Sequence, residues 1–280
     1  MPSTPLHSMP SLHSTPSAHP TPSVNSTPSV HSPPPALSTP SVHSMPSVNS
    51  TPSVHPTLPG HSAPVILFDL DGTLIDSLEL LVGAMQHAFD SRTGPRPSVE
   101  EWVATIGRPL IWQFGQYAAD DDLQSLVQSY RSYQLEHHDR LTRPFDGIPQ
   151  LVARLHSHGH ALGVVTSRAG FLANRSLSHV GLSEHFDIVV GADKTTRHKP
   201  EPEPIWFALQ QLSARSEDAV YIGDSPFDIM SANAAGVRSI GVTWGAATRA
   251  QITLPGPTHI VTTPDELERL LSQLPPPHSP

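Results

Sequence analysis

The chain has 280 residues, a formal net charge of −9 and no cysteine. The lack of cysteine excludes a disulfide framework, a thiolate nucleophile and a zinc–thiolate site, and an acidic body without a Lys/Arg cluster argues against nucleic acid and against an anionic membrane as partners. No apolar run reaches the length of a membrane span and the N-terminus has neither a basic nor an apolar signal region, so a soluble, cytoplasmic protein is expected.

No Asp, Glu, Lys or Arg precedes Asp69, so the whole charge belongs to the chain from Asp69 onward. From His7 to about Gly60 the chain repeats in hexads: His7–Leu12, His13–Ala18, His19–Val24, Asn25–Val30 and onward. Almost every unit carries a proline and only one small apolar residue, which cannot build a core. Residues 1–62 therefore read as a disordered tail with some polyproline II character. Metal binding by its spaced histidines, phosphorylation of its Ser/Thr-Pro pairs, tethering of a partner and a misassigned upstream frame with a natural start near Val65 are the readings open for it.

Val65–Phe68 is an apolar run that meets Asp69, Leu70, Asp71 and Gly72, the pattern of a buried strand opening at its C-terminal end. On extended backbone the period of two puts both carboxylates on one side while Leu70 turns into packing. Two such acids repel unless a cation lies between them, whereas a solvated Asp-Gly turn would need none. Gly72 permits a positive φ, and Thr73 offers a hydroxyl just beyond it.

Helical spacing over 77–91, a Ser98–Glu101 capping box opening a helix through Ala104, and helices over 110–118 and 122–141 make a helical insert, 78–144, broken at Gly107-Arg108-Pro109. From Phe145 onward strands and helices alternate. Strands are predicted at 161–165, 186–190, 219–222, 239–242 and 259–261, and helices at 148–156, 171–180, 203–212, 229–235 and 264–274. That alternation implies an α/β fold with a doubly wound parallel sheet, formed by 63–77 and 145–275, whose ligands bind at the C-terminal strand ends.

Thr166-Ser167-Arg168 ends the second core strand, Gly223-Asp224-Ser225-Pro226-Phe227-Asp228 ends the fourth, and His198-Lys199-Pro200 lies between them. Asp69, Asp71, Asp224 and Asp228 are hard oxygen donors suited to Mg²⁺. Thr166 suits a phosphate oxygen, and Lys199 would neutralise a carboxylate and a transferring phosphoryl group. Taken singly, Thr166-Ser167 reads as a helix cap, Lys199 as a surface lysine and Gly223-Asp224 as a turn; their joint order at strand ends carries the functional reading.

These four clusters resemble the four motifs of the haloacid dehalogenase-like (HAD) hydrolases, over about Val65 to Leu274. The insert resembles that family's small all-helical cap, and His198–Pro204 with Gly223–Pro226 resembles the subgroup of phosphoglycolate phosphatases and inorganic pyrophosphatases. The resemblance implies a Rossmann-like core, Mg²⁺ as cofactor and Asp69 as a nucleophile that becomes an aspartyl phosphate. It implies Asp71 as general acid and then base, with its carbonyl beside the carboxylates of Asp69 and Asp224 on the metal and Asp228 in support. Thr166 and Lys199 would hold the phosphoryl group, with Thr73 and Ser167 beside it. Arg108, in the break between insert helices, and Arg168 are the candidates for a second anionic group on the substrate. Asp71 also argues against the family's dehalogenases, which lack that second acid. The expected partner is a small phosphorylated metabolite, 2-phosphoglycolate first and pyrophosphate second. A sugar phosphomutase and a non-catalytic phosphoester-binding module are the alternatives.

Overall fold

The structure, a computed structural model, describes residues 63–90 and 92–275; the expected tail lies outside the described residues. The main sheet contains β1 (Val65–Phe68), β4 (Leu162–Val165), β5 (Ile188–Val190), β6 (Ala219–Gly223), β7 (Arg238–Val242) and β8 (His259–Val261). A two-residue ribbon pairs β2 (Ile75–Asp76) with β3 (Arg143–Pro144). The sheet order is β5-β4-β1-β6-β7-β8, parallel throughout, which places β1 and β6 at its centre.

Alternation along β1 explains the two layers. Ile66 and Phe68 face α5 (Ile148–Ser157), α6 (Gly170–His179) and α10 (Pro264–Leu271), while Val65 and Leu67 face α7 (Glu203–Gln211) and α8 (Pro226–Ala235). A strand buried on both faces must be apolar at every position, as β1 is. Each fully buried side chain of this size contributes about 1.5–3 kcal/mol. Phe68 and Tyr221, both with no exposed surface, are the largest at the sheet centre. The short helix α9 (Arg249–Thr253) was not anticipated, although its Thr248–Gln251 capping box is a readable signal.

The insert contains α1 (Leu78–Phe89), α2 (Val99–Val103), α3 (Leu110–Phe114) and α4 (Asp120–His137). Leu81, Met85 and Phe89 of α1 pack with Trp102, Phe114, Leu126 and Tyr130 in a core of their own. The Ser98–Glu101 box forms as expected and opens α2. The expected helix over 110–118 is shorter, ending at Phe114 against Gly115, and α4 starts two residues early and stops at His137 rather than 141. The chain enters and leaves this helical layer through the β2–β3 ribbon, where Arg143 grips Asp76 through Nε at 3.1 Å and Nη2 at 2.8 Å. Strands of two residues carry no periodicity, so nothing in the sequence signals them. No described helix is long and apolar enough to cross a membrane.

Candidate active site

β1 stops at Phe68, so Asp69 is the first residue past the central strand and Asp71 lies beyond it, joined to Ile75 by a single bridge. This differs from two acids on continuous strand: the turn from Leu70 to Ile75, with Gly72 at φ +84°, gives each carboxylate its own surroundings. Asp69 is buried and accepts from Lys199 Nζ at 2.6 Å, while the same Nζ donates to Asp228 Oδ1, also at 2.6 Å. Lys199, 2% exposed, stands 5.3 Å over the Tyr221 ring.

Asp228 belongs to the capping box of α8. Its Oδ2 accepts from Ser225 N at 3.0 Å and Ser225 Oγ at 2.6 Å, and Tyr221 Oη lies 3.1 Å from its Oδ1. The residue that starts the helix thus also anchors the lysine. Asp224 closes the group, with Oδ1 accepting from Thr73 Oγ1 at 3.2 Å and Oδ2 from Ala246 N at 2.8 Å. The Cβ of any residue replacing Gly72 or Gly245 would come within 2.2 Å of Asp224 Oδ2. Backbone therefore presses against the carboxylate from two sides.

One carboxylate oxygen from each of Asp69, Asp224 and Asp228 lies within 4.8 Å of the others. Three buried acids share one lysine. Burial, opposed by Lys199 and reinforced by Asp228 and Asp224, holds the Asp69 carboxyl well above the ordinary carboxylate range. Burial and the neighbouring Asp228 push Asp224 up to about 7. Burial pulls Lys199 down, but the charges of Asp228 and Asp69 outweigh it and leave its ammonium firmly protonated. These three carboxylates could hold a divalent cation, and the donor set is the hard-oxygen type that Mg²⁺ prefers.

Asp71 is held apart from this group. Ser77 Oγ donates to its Oδ1 at 2.5 Å, and Arg168 grips both oxygens, Nε to Oδ2 at 3.0 Å and Nη2 to Oδ1 at 2.6 Å. Ser77, which precedes α1, makes no cap bond, because its hydroxyl is turned to Asp71. In the sequence it signals only a helix start. Thr166, also buried, follows β4; its Oγ1 accepts from Arg168 N at 3.1 Å and caps no helix, since α6 begins only after Ala169.

Of the residues expected to touch substrate, two support carboxylates instead. Thr73 holds Asp224, and Arg168 holds Asp71 with all three of its guanidinium nitrogens engaged, the third on Ser176. Ser167 Oγ donates to the Gly107 carbonyl of the insert at 2.6 Å. Arg108 is half-buried rather than a solvated charge: Nη1 donates to the Lys199 carbonyl at 3.3 Å, and the guanidinium lies 4.2 Å over the Trp112 ring. Its Nε is buried without a hydrogen-bond partner. Gly107 takes φ +101°, and a Cβ there would lie 2.7 Å from Ser225 Oγ, so only glycine lets this loop touch down on the sheet edge. Between the insert and the sheet edge lies a cavity of about 920 Å³, reached by Asp69, Asp71, Thr166, Lys199, Asp224 and Arg108. Tyr221, Ser225 and Ala246 complete the site and were not anticipated. Tyr221 and Ala246 are single residues with no pattern, whereas Ser225 lies inside the Gly223–Asp228 cluster and its capping box with Asp228 is a readable signal.

A family model described as haloacid dehalogenase-like hydrolase matches residues 66–242. Pyrophosphatase PpaX of Bacillus pumilus is 36% identical over 180 residues, 64% of this chain and 82% of its own length. That of Bacillus cereus is 32% identical over 209 residues, 75% of this chain and 96% of its own. A solved haloacid dehalogenase-like hydrolase from Streptococcus pneumoniae superposes with a TM-score of 0.66 at 28% identity, covering 75% of this chain and 98% of that one. The matched span runs from the first buried strand through Lys199, Asp224 and Asp228 to the end of β7, and the chain belongs to the haloacid dehalogenase-like hydrolases.

Proposed function

We propose that the protein is a Mg²⁺-dependent phosphohydrolase of a small phosphorylated metabolite that carries a second anionic group, working through an aspartyl phosphate. The observation that carries this reading is the separation of the two acids. Asp69 sits against Lys199 in the carboxylate cluster, and Asp71 is gripped by Arg168 and Ser77. Asp69 faces the cavity beside the lysine that would meet a phosphoryl group, and Asp71 faces it from a separate, fixed position, so the two can act on different atoms of one substrate.

In this reading the Asp69 oxygen attacks phosphorus as the bond from phosphorus to the leaving oxygen breaks. The electron pair goes to that oxygen, which takes a proton from Asp71. Asp71, now a carboxylate, removes a proton from water as the water attacks the aspartyl phosphate; phosphate leaves and Asp69 is restored. Lys199 and Thr166 hold the phosphoryl oxygens. Mg²⁺, when held by the carboxylates of Asp69 and Asp224 and the Asp71 carbonyl, supplies positive charge against the phosphoryl group. Asp228, whose oxygens are engaged by Lys199, Tyr221 and Ser225, acts behind it by fixing the lysine.

The helical layer 78–144 serves as a cap that closes over the site and excludes water. Arg108 brings a positive charge to the cavity, which suits a second anionic group such as the carboxylate of 2-phosphoglycolate. The names of the PpaX relatives favour a second reading, pyrophosphate, in which the same arginine meets the distal phosphate.

Phosphate release from 2-phosphoglycolate, pyrophosphate, nucleoside monophosphates and sugar phosphates, with Mg²⁺ or EDTA, tests the proposal beside Asp69→Asn. Hydrolysis that needs Mg²⁺ and is lost in the variant is expected. Release that persists in Asp69→Asn would sink the aspartyl-phosphate route, and a folded, Mg²⁺-binding protein that hydrolyses nothing would make the pocket a binding module.

A further inference from the structure

The grip on Asp71 does not end at Arg168. The guanidinium's remaining nitrogen, Nη1, donates to Ser176 Oγ on α6 at 2.9 Å. Ser176 has no exposed surface, and its hydroxyl lies 2.8 Å from His138 Nε2. His138 is likewise completely buried, with Nδ1 2.7 Å from Asp139 Oδ1. Arg175 Nη2 holds Asp139 in turn, at 3.0 Å. A continuous line of polar groups therefore joins Asp71 to the exposed end of α4.

Donor bookkeeping fixes the bonds at the two ends of the line, Arg168 to Ser176 and His138 to Asp139. The carboxylate of Asp139 only accepts, so the hydrogen between it and His138 is on Nδ1. Burial lowers the His138 pKa against the opposing bond to Asp139, which favours the neutral ring and leaves Nε2 an acceptor. Ser176 has one hydrogen for two acceptors, Nε2 and the Leu172 carbonyl at 3.0 Å, and with either it offers its oxygen to Arg168. The groups touch in the order Arg168, Ser176, His138, Asp139, and a guanidinium fixed at its far nitrogen presents its other two to Asp71 in one plane.

The position of His138 gives this line a purpose beyond packing. Tyr130, Gln134 and His138 recur at intervals of four along α4, and a helix places such residues on one face. Tyr130 and Gln134 line the cavity over the site, and His138 is the cap residue that ends the same helix. Ser77, at the other crossing between core and cap, also holds Asp71.

We infer that His138 is a positioning residue for Asp71: acting through Ser176 and Arg168, it sets the orientation from which Asp71 protonates the leaving oxygen, and so couples the end of cap helix α4 to acid catalysis. This rests on the reading of Asp71 as the general acid. No residue of the line beyond Arg168 needs to touch substrate.

The test compares leaving groups. For 4-nitrophenyl phosphate the departing oxygen needs little proton help, whereas for an alkyl phosphate such as ethyl phosphate it needs a full proton. The quantity to read is kcat/KM, which covers steps only up to leaving-group departure. Asp71→Asn calibrates complete loss of the acid. Ser176→Ala and His138→Leu should lower kcat/KM on ethyl phosphate by about tenfold or more, a part of the roughly 10²–10⁴ that general acid help gives. They should leave 4-nitrophenyl phosphate within about twofold. His138→Gln, whose amide can occupy the place of Nε2, should restore most of the ethyl phosphate activity.

Equal losses on both substrates, or none on either, would overturn the positioning role, as would failure of His138→Gln to exceed His138→Leu. If Asp71→Asn itself lowers both substrates equally while Asp69→Asn abolishes both, the acid assignment falls and takes the inference with it. Loss of all hydrolysis in the unaltered protein would instead strike the proposed function.

Discussion

Lys199 Nζ lies 2.6 Å from Oδ1 of Asp69, and both groups are buried at the end of the central strand. With Asp228 on the other side of the same nitrogen, the lysine is the cation that permits these acids to be enclosed together.

Lys199→Met should therefore destabilise the protein by roughly 3–5 kcal/mol, the cost of leaving a buried charge without its partner. The double variant Lys199→Met/Asp228→Asn should recover part of that loss, because one of the stranded acids is gone. Urea unfolding of the single and double variants measures it, and strictly additive effects would contradict the shared-partner account.

The carboxylate cluster sets a pH dependence in metal-free protein. Asp224 keeps its proton to about pH 7 when folded but only to its ordinary value of 3.8 when unfolded. Between those values the folded state binds more protons, so this group's contribution to stability declines as pH rises toward 7. The melting temperature in EDTA should fall from about pH 5 to about pH 8, and excess Mg²⁺ should raise it most at the alkaline end, where the carboxylates are free to bind. Asp224→Asn should flatten the decline and weaken the response to Mg²⁺.

Gly72→Ala tests the cradle around Asp224. Alanine at φ +84° is strained, and its Cβ would collide with Asp224 Oδ2. The expected cost is about 1–3 kcal/mol in stability. A displaced Asp224 should also weaken Mg²⁺ binding, which calorimetric titration of the metal reads directly. A variant that binds Mg²⁺ as tightly as the unaltered protein would show that Asp224 does not need this tight backbone approach.

Arg108→Ala removes the charge that the cap loop brings to the cavity. For 2-phosphoglycolate or pyrophosphate KM should rise about 10- to 100-fold, the equivalent of one charged hydrogen bond of roughly 1.5–3 kcal/mol. For 4-nitrophenyl phosphate, which has no second anion, KM should change little. Steady-state kinetics on the three substrates decides, and a uniform rise in KM would place Arg108 on the transferring phosphate or in packing instead.

The layered sheet and the strand-end positions of Asp69, Thr166 and Asp224 were legible because they follow from periodicity, apolar runs and one topological rule. What stayed hidden depends on which side chains meet across the fold. Ser77 looks like a helix start, Asp228 like an oxygen donor for a metal, and Arg168 like an arginine awaiting an anion; the structure turns them toward Asp71, Lys199 and Asp71 respectively. The line passes from Ser176 to His138 across 38 positions, and no spacing announces that contact. The β2–β3 ribbon was invisible for another reason. Two residues per strand cannot express a period of two.

That ribbon has a consequence for how such a chain can change. Ile75 pairs with Pro144 and Asp76 with Arg143, so the long excursion of 77–142 departs and returns through one narrow doorway. Holding the two ends together is the task of the ribbon and its ion pair. The excursion's length is then almost free, since doubling a flexible loop adds only about 0.6 kcal/mol to closure. Helices in the excursion can be lengthened, replaced or recombined without shifting any strand of the sheet, provided Ser77 keeps its hold on Asp71 and His138 its contact with Ser176.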